Sequence, residues 1–345
     1  DIAPAEIARD PFDAVMALES IPNPVITRSA DLFSNKERGE TRRNSIGWDI
    51  TDARTVEQLD KERGAYLQHN WQAGPMIAGD VEGANTKTVI NPANHQDVVG
   101  QVVEASEKDI ETAITAAQAG QKAWEALSVE ERGARIRKFA DLMEANAGEL
   151  FALATREAGK SLLDGIAEIR EAVDFALYYP DEAELHNADG TARGLITCIS
   201  PWNFPLAIFA GQICAALAAG NAVLAKPAEQ TVLMAARAVE LMHEAGIPKD
   251  VIQLLPGAGA VVGAALTSDS RINGVCFTGS TPTAQHINRS MAANMSPEAP
   301  LIAETGGMNA MIVDSTALPE QVIRDVLASS FQSAGQRCSA LRVLY

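Results

Sequence analysis

The chain has 345 residues, 47% of them hydrophobic, and a formal net charge of −17. That length allows a large core and up to two domains. The acidic balance disfavours nucleic acid or an anionic membrane surface as a partner, and no apolar run reaches the roughly 18 residues that a transmembrane helix needs.

Residues 1 to about 80 are charged, Pro-containing and weakly periodic, and read as an arm or linker. The first residues, "DIAPAEIARDPF", lack an initiator Met and any signal-peptide pattern, and read as a cut inside a longer polypeptide. "IPNPVITR" and "NWQAGPMIAGDVEG" suit extended or turn segments, and "TVEQLDKERGAYLQH" suits a helix. From about residue 85, "KTVINP" and "DVVGQVVEA" read as short strands. "SEKDIETAITAAQAGQKAWEAL" places Ile110, Ile114, Ala117 and Trp124 on one helical face. The following segment opens with Ser128 and Glu131 at capping-box spacing. "SLLDGIAEIREAVDFALYY" reads as an amphipathic helix closed by Pro180.

After residue 190, apolar strands alternate with helices. The strands are "GLITCIS", "NAVLAKP", "VIQLLPG", "INGVCFTG" and "PLIAET". Two of the intervening helices end at Gly220 and Gly246. This alternation predicts a Rossmann-type parallel sheet covered on both faces. Such sheets bind ligands at the carboxyl ends of their strands.

The residues at those ends carry the chemistry. After the first strand, Pro201-Trp202-Asn203-Phe204-Pro205 forms a fixed turn, and Asn203 can cap the next helix or offer an N–H to an oxyanion. After the second, Lys226 and Glu229 can form a solvated pair or hold the hydroxyls of a ribose. Gly257, Gly259 and Gly263 are spaced one residue too widely for the dinucleotide fingerprint and read as a turn. Gly279, Ser280 and Pro282 suit a tight turn into a helix N-terminus that can take phosphate. Glu304, beside Gly306 and Gly307, is either a general base or a solvated acid. Of four cysteines, Cys198, Cys214 and Cys276 lie in apolar settings, whereas Cys338 is flanked by Gln336, Arg337 and Ser339. The cysteine spacing suggests a reducing compartment, and the five histidines show no metal-binding pattern.

In this order, P-W-N-F-P, K-P-A-E-Q-T, F-T-G-S-T, E-T-G-G and G-Q-R-C resemble the aldehyde dehydrogenase superfamily over about residues 85–345, with Glu304 and Cys338 separated by 34 positions as in that family. The resemblance implies an α/β aldehyde dehydrogenase-like fold. Residues 1–84 would form an arm, 85–306 the NAD-binding domain and 307–345 the start of the catalytic domain. It implies that Cys338 is the nucleophile, that Asn203 and the Cys338 N–H form the oxyanion hole, and that Glu304 activates water. NAD would be held by Lys226 and Glu229 at the ribose and by Gly279 and Ser280 at the pyrophosphate. Ser200, Pro201, Trp202, Gly259, Gly263, Phe277, Thr305 and Gly306 complete that implied cofactor site. Glu229 favours NAD over NADP, because a carboxylate there repels a 2′-phosphate. No metal is implied. One departure is Ala284, where many family members carry Gly.

The segments "REAVDFALYY", "ISPWNFPLAIFAGQI" and "SAGQRCSALRVL" are also similar to the L-glutamate γ-semialdehyde dehydrogenase module of bacterial bifunctional proline utilization proteins. "IPNPVITRSADLFSNKERGETRRNSIGWDI" resembles the connection in those proteins to an FAD-binding proline dehydrogenase barrel, which this chain lacks. That likeness implies a cytoplasmic enzyme of proline catabolism, homo-oligomeric at full length, with membrane association only through the barrel. It further implies Ser339 and Phe204 as substrate contacts, with Glu171 and Arg337 as possible charged ones. A CoA-acylating dehydrogenase and an inactive nucleotide-binding module are the competing readings. "LRVLY" reads as a strand just begun, with more of the catalytic domain expected beyond it.

Overall fold

A computed structural model describes residues 3–19, 23, 25–27, 31–33, 42–187 and 189–345. Residues 21, 22, 24, 28–30 and 34–41 of the 21–50 segment that resembles a barrel connection lie outside these. The chain packs as two units, residues 1–44 and 45–345. The second unit begins at Ser45, whose N–H and Oγ bond the Asp174 carboxylate at 2.8 and 3.1 Å. The first unit holds two short helices, α1 (Pro4–Ile7) and α2 (Pro11–Met16), the latter capped by Asp10.

The second unit opens with α3 (Ala53–Gly64) and a small sheet of β1 (Trp71–Ala73), β2 (Thr86–Asn91) and β3 (Asn94–Val103) in the order β1-β3-β2. Four helices follow: α4 (Glu107–Glu125), α5 (Val129–Ala145), α6 (Ala147–Arg156) and α7 (Leu162–His186). Ile110, Ile114, Ala117 and Trp124 are buried along one face of α4 as their spacing requires. The Trp124 indole also donates to the Leu217 carbonyl at 2.9 Å. The Ser128–Glu131 capping box forms. Asn146 separates α5 from α6. One expectation fails locally: Pro180 does not end α7, which continues six residues further. The lost interior hydrogen bond costs about 3 kcal/mol or more. It is offset by packing of the buried proline against Gly133 and by Arg137, which bridges Asp181 and Glu184 at 2.6 and 2.8 Å.

The central sheet contains β4 (Leu195–Ile199), β5 (Ala222–Lys226), β6 (Ile252–Leu254), β7 (Gly274–Gly279) and β8 (Leu301–Thr305), all parallel, in the order β6-β5-β4-β7-β8. Along β4 and β5, Ile196, Cys198, Val223 and Ala225 face one core while Leu195, Ile199, Ala222 and Leu224 face the other. The connecting helices are α8 (Ala207–Ala218), α9 (Val232–Glu244), α10 (Ala264–Ser268) and α11 (Thr281–Asn294). Gly220 and Gly246 follow α8 and α9 at φ +87° and +96°, the left-handed stop that glycine tolerates best. Coverage of both faces holds for the inner strands but not for β8, where Ile302 is 57% exposed. After β8 come β9 (Ala310–Met311), α12 (Pro319–Phe331) and β10 (Val343–Leu344), which pairs in parallel with β9. Strand order reverses beside β4, since β5 and β6 lie on one side and β7 and β8 on the other. Such a reversal opens a crevice at the carboxyl ends of the two strands flanking it. No helix among the described residues is long and apolar enough to cross a membrane.

Helix α9 begins without a side-chain cap of its own. Its Leu233 and Met234 N–H groups donate instead to the two oxygens of buried Glu157, at 2.7 and 2.8 Å. Burial pushes the Glu157 carboxyl up to about 8, against the pull of those N–H groups. The folded chain thus binds this proton more tightly than the unfolded chain. The associated stability is full below the ordinary value of 4.5 and is lost as pH rises through about 8. The urea midpoint should accordingly fall between roughly pH 5 and pH 9 relative to that of Glu157→Gln; parallel pH profiles for the two proteins would refute this.

Candidate active site

The cavity in the crevice measures about 990 Å³. Ser200 follows β4 and opens the turn Pro201–Pro205 before α8. Asn203 does not cap α8; its Nδ2 donates to the Gln336 carbonyl at 2.9 Å. The α8 cap comes from Glu168 on α7, which accepts from Leu206 N and Ala207 N at 2.8 Å each.

At the end of β5, Lys226 is only 5% exposed. Burial holds its ammonium below the usual lysine range, while Glu229 and Glu104 pull it back up. It has no hydrogen-bond or ion-pair partner among the described residues. A solvated Lys226–Glu229 pair is therefore not what forms. Glu229 instead accepts from Gly259 N at 3.0 Å and lies 3.8 Å from Lys87, which also pairs with Glu104 at 2.6 Å.

The segment after β6 is more than a turn. Gly259–Gly263 forms a wide helical turn leading into α10, and both glycines line the cavity. At the end of β7, Gly279 is not in the left-handed region. Its need is space, since a Cβ there would stand 2.6 Å from the Phe277 ring. Ser280 caps α11, its Oγ accepting from Thr283 N at 3.3 Å. The partial positive charge of this fourteen-residue helix is thereby directed at the cavity. Ala284 is buried within α11 and leaves that turn intact. At the end of β8, Glu304, Thr305 and Gly306 reach the same space.

Cys338 comes from the loop between α12 and β10. It is exposed and lines the cavity, whereas Cys198 and Cys214 are buried. The loop is strained: Ser333 and Ala334 adopt φ +52° and +55°, at a cost of roughly 1–2 kcal/mol each. Side chains hold it from several directions. Asn203 takes the Gln336 carbonyl, and Arg342 donates to the carbonyls of Gly335 and Arg337 at 3.2 and 3.3 Å. Asn309, just before β9, donates to the carbonyls of Cys338 and Ala340 at 2.7 and 3.0 Å. Nothing in its sequence neighbourhood marks Asn309 as a clamp on the cysteine.

Ser200, Pro201, Trp202, Asn203, Lys226, Glu229, Gly259, Gly263, Phe277, Gly279, Ser280, Glu304, Thr305, Gly306, Arg337 and Cys338 thus share one cavity. Three expected substrate contacts do not line it. Ser339 is exposed beside Cys338. Glu171 lies on the exposed side of α7. The Phe204 ring carries the Lys160 ammonium 4.9 Å from its centre. Arg337 lines the wall, yet its Nη2 donates to the Ala328 and Ser329 carbonyls at 2.8 and 2.7 Å. There it joins the Gln332 and Leu341 N–H groups, which bond the same two carbonyls at the end of α12. A smaller cavity of about 390 Å³ adjoins the first at Trp202, Asn203 and Gln336, and is bounded by Lys160, Ser161 and Asp164.

Residues 80–345 match the model of the aldehyde dehydrogenase family. The chain is 49% identical to the bifunctional protein PutA of Klebsiella aerogenes over 98% of its own length and 26% of that protein's, so it spans about a quarter of this relative. Among solved structures, proline utilization A of Bradyrhizobium japonicum superposes with a TM-score of 0.80 at 40% identity, over 99% of this chain and 32% of that one. A Thermus 1-pyrroline-5-carboxylate dehydrogenase with bound NAD superposes with a TM-score of 0.84 at 31% identity, over 88% of this chain and 62% of that one.

Thiol accessibility gives a direct check of the site. Under native conditions iodoacetamide should label Cys338 first and partly buried Cys276 next, and should reach Cys198 and Cys214 only on unfolding. Peptide mass mapping of a time course reads the order; early labelling of Cys198 or Cys214 would contradict it.

Proposed function

The chain belongs to the aldehyde dehydrogenase family, and on that premise we propose that it carries the nucleotide site and nucleophile of an NAD-dependent dehydrogenase. This enzyme converts L-glutamate γ-semialdehyde, the open form of Δ1-pyrroline-5-carboxylate, to L-glutamate in proline catabolism. The observation that carries the reading is the meeting of Cys338, Asn203, Glu304 and buried Lys226 at one cavity. The choice of substrate is supported by the relatives. Residues 85–306 are read as the nucleotide-binding part and 307–345 as the start of the catalytic part. In the whole protein we expect an FAD-bearing proline dehydrogenase in the same polypeptide, homo-oligomerisation and a cytoplasmic location.

The cavity suits a dinucleotide. Lys226 brings an unpartnered ammonium for ribose hydroxyls, and Glu229 brings a carboxylate with one oxygen already fixed by Gly259 N–H. That carboxylate opposes a 2′-phosphate and so favours NAD. The N-terminus of α11 suits the diphosphate. When bound, NAD supplies the two-electron acceptor for the aldehyde carbon.

The chain's own residues do the rest. The Cys338 thiolate forms a C–S bond to the aldehyde carbon, and the carbonyl electrons move onto oxygen. Asn203 Nδ2 has one N–H on the Gln336 carbonyl and a second to offer that oxyanion, together with the Cys338 N–H. Once the carbon is oxidised, a thioester remains on Cys338. Glu304 takes a proton from the attacking water, the C–S bond breaks, and the carboxylic acid leaves. Ser339, exposed and next to the nucleophile, remains the proposed contact of the substrate carboxylate, although it does not line the cavity.

The test is NADH formation from the semialdehyde by the full-length polypeptide, with and without coenzyme A. Turnover should need no coenzyme A and should fall on the order of a thousandfold or more in Cys338→Ala. Glu304→Gln should give a burst of about one NADH per site followed by slow hydrolysis. A strict requirement for coenzyme A, or unchanged turnover in Cys338→Ala, would overturn the assignment.

A further inference from the structure

The first turn of α8 leaves orphan N–H groups that a side chain near its start normally accepts. In the preceding stretch Pro201–Leu206, Asn203 is the one residue of the capping type. Asn203 is nevertheless directed at Gln336 and the cavity. The cap is supplied by Glu168, whose side chain is 0% exposed and whose Oε1 accepts from Leu206 N and Ala207 N at 2.8 Å each.

Glu168 has its own counter-ion. Lys160, with a side chain 9% exposed, places Nζ 3.2 Å from Glu168 Oε2. The same ammonium lies over the Phe204 ring, the residue that follows Asn203. Lys160 and Asn203 also border the same smaller cavity. One buried ion pair therefore touches the turn at Phe204, Leu206 and Ala207. Burial pushes the Glu168 carboxyl up, and the Lys160 charge is the largest pull in the other direction.

We propose that Glu168, fixed by Lys160, is a positioning residue for the dehydrogenase reaction: by capping α8 from α7 it releases Asn203 from the capping role and keeps its amide at the reacting carbonyl. Without an acceptor at 168, the Asn203 side-chain oxygen is the one side-chain acceptor that the preceding turn offers the exposed helix N–H groups. Asn203 then turns from Gln336 toward α8, and the oxyanion loses a donor. Neither Lys160 nor Glu168 lines the cavity that holds Lys226 and the α11 N-terminus, so nucleotide binding is expected to be spared. This inference rests on the activity proposed above.

The experiment compares Glu168→Leu, which removes the acceptor, with Glu168→Gln, which keeps a carbonyl oxygen for Leu206 and Ala207. Both are made in the full-length protein. Glu168→Leu should lower kcat by about tenfold or more, as expected for a lost oxyanion donor, with the Kd for NAD within about twofold of the parent. Glu168→Gln should stay within about threefold of the parent kcat, because the cap survives. A crystal structure of Glu168→Leu should show Asn203 withdrawn from the Gln336 carbonyl. Parental kcat in Glu168→Leu, equal impairment of the two variants, or NAD affinity falling in step with kcat would each overturn the proposal. A parent protein that oxidises no semialdehyde would refute the activity instead, and the position of Asn203 in the variant crystal would still decide the positioning claim.

Discussion

The structure depends on one constraint of parallel sheets: all strands end at the same edge. Five parallel strands with a reversal beside β4 therefore bring five separate turns and a distant loop to one crevice. The inner strands are apolar on both faces, so their central residues are committed to packing. Chemistry is left to the residues just past the strands. Ser200, Lys226, Gly279 and Glu304 are neighbours of the cavity for that reason alone, although they are scattered along the sequence.

Placing polar groups at such an edge buries some of them, and the fold answers each case differently. Glu157 and Glu168 accept N–H groups from the starts of α9 and α8 and so act as remote caps. Lys226 receives no such compensation. Its charge is desolvated with no hydrogen bond among the described residues, and only the nearby Glu229 and Glu104 charges oppose the resulting pull toward the neutral form. A ligand with hydroxyls or anionic oxygen at that spot would relieve it. The strained Cys338 loop follows the same logic. Ser333 and Ala334 tolerate left-handed conformations because Asn203, Asn309 and Arg342 hold the adjoining carbonyls.

Much of this was legible in the sequence where the signal is local. The five strands, the Ser128–Glu131 box, the glycine stops after α8 and α9, and the odd setting of Cys338 all follow from spacing and residue type. Resemblance then joined the strand-end residues into one site. What escaped was carried by contacts between distant segments. Lys87 approaches Glu229, Glu168 caps α8, and Asn309 clamps Cys338, yet none of these pairs is close in sequence. Pro180 misled because its cost is met by α5, not by α7 itself. The structural partners of Phe204 and Arg337, the Lys160 ammonium and the end of α12, are likewise revealed by no motif.

The central claim is that the crevice holds a dinucleotide against Lys226 while presenting Cys338 to the reacting carbon. Isothermal titration of NAD into the full-length protein and into Lys226→Met tests it most directly. The account predicts a single site whose Kd rises at least about tenfold in the variant, roughly 1.4 kcal/mol. Equal affinities for the two proteins would contradict it.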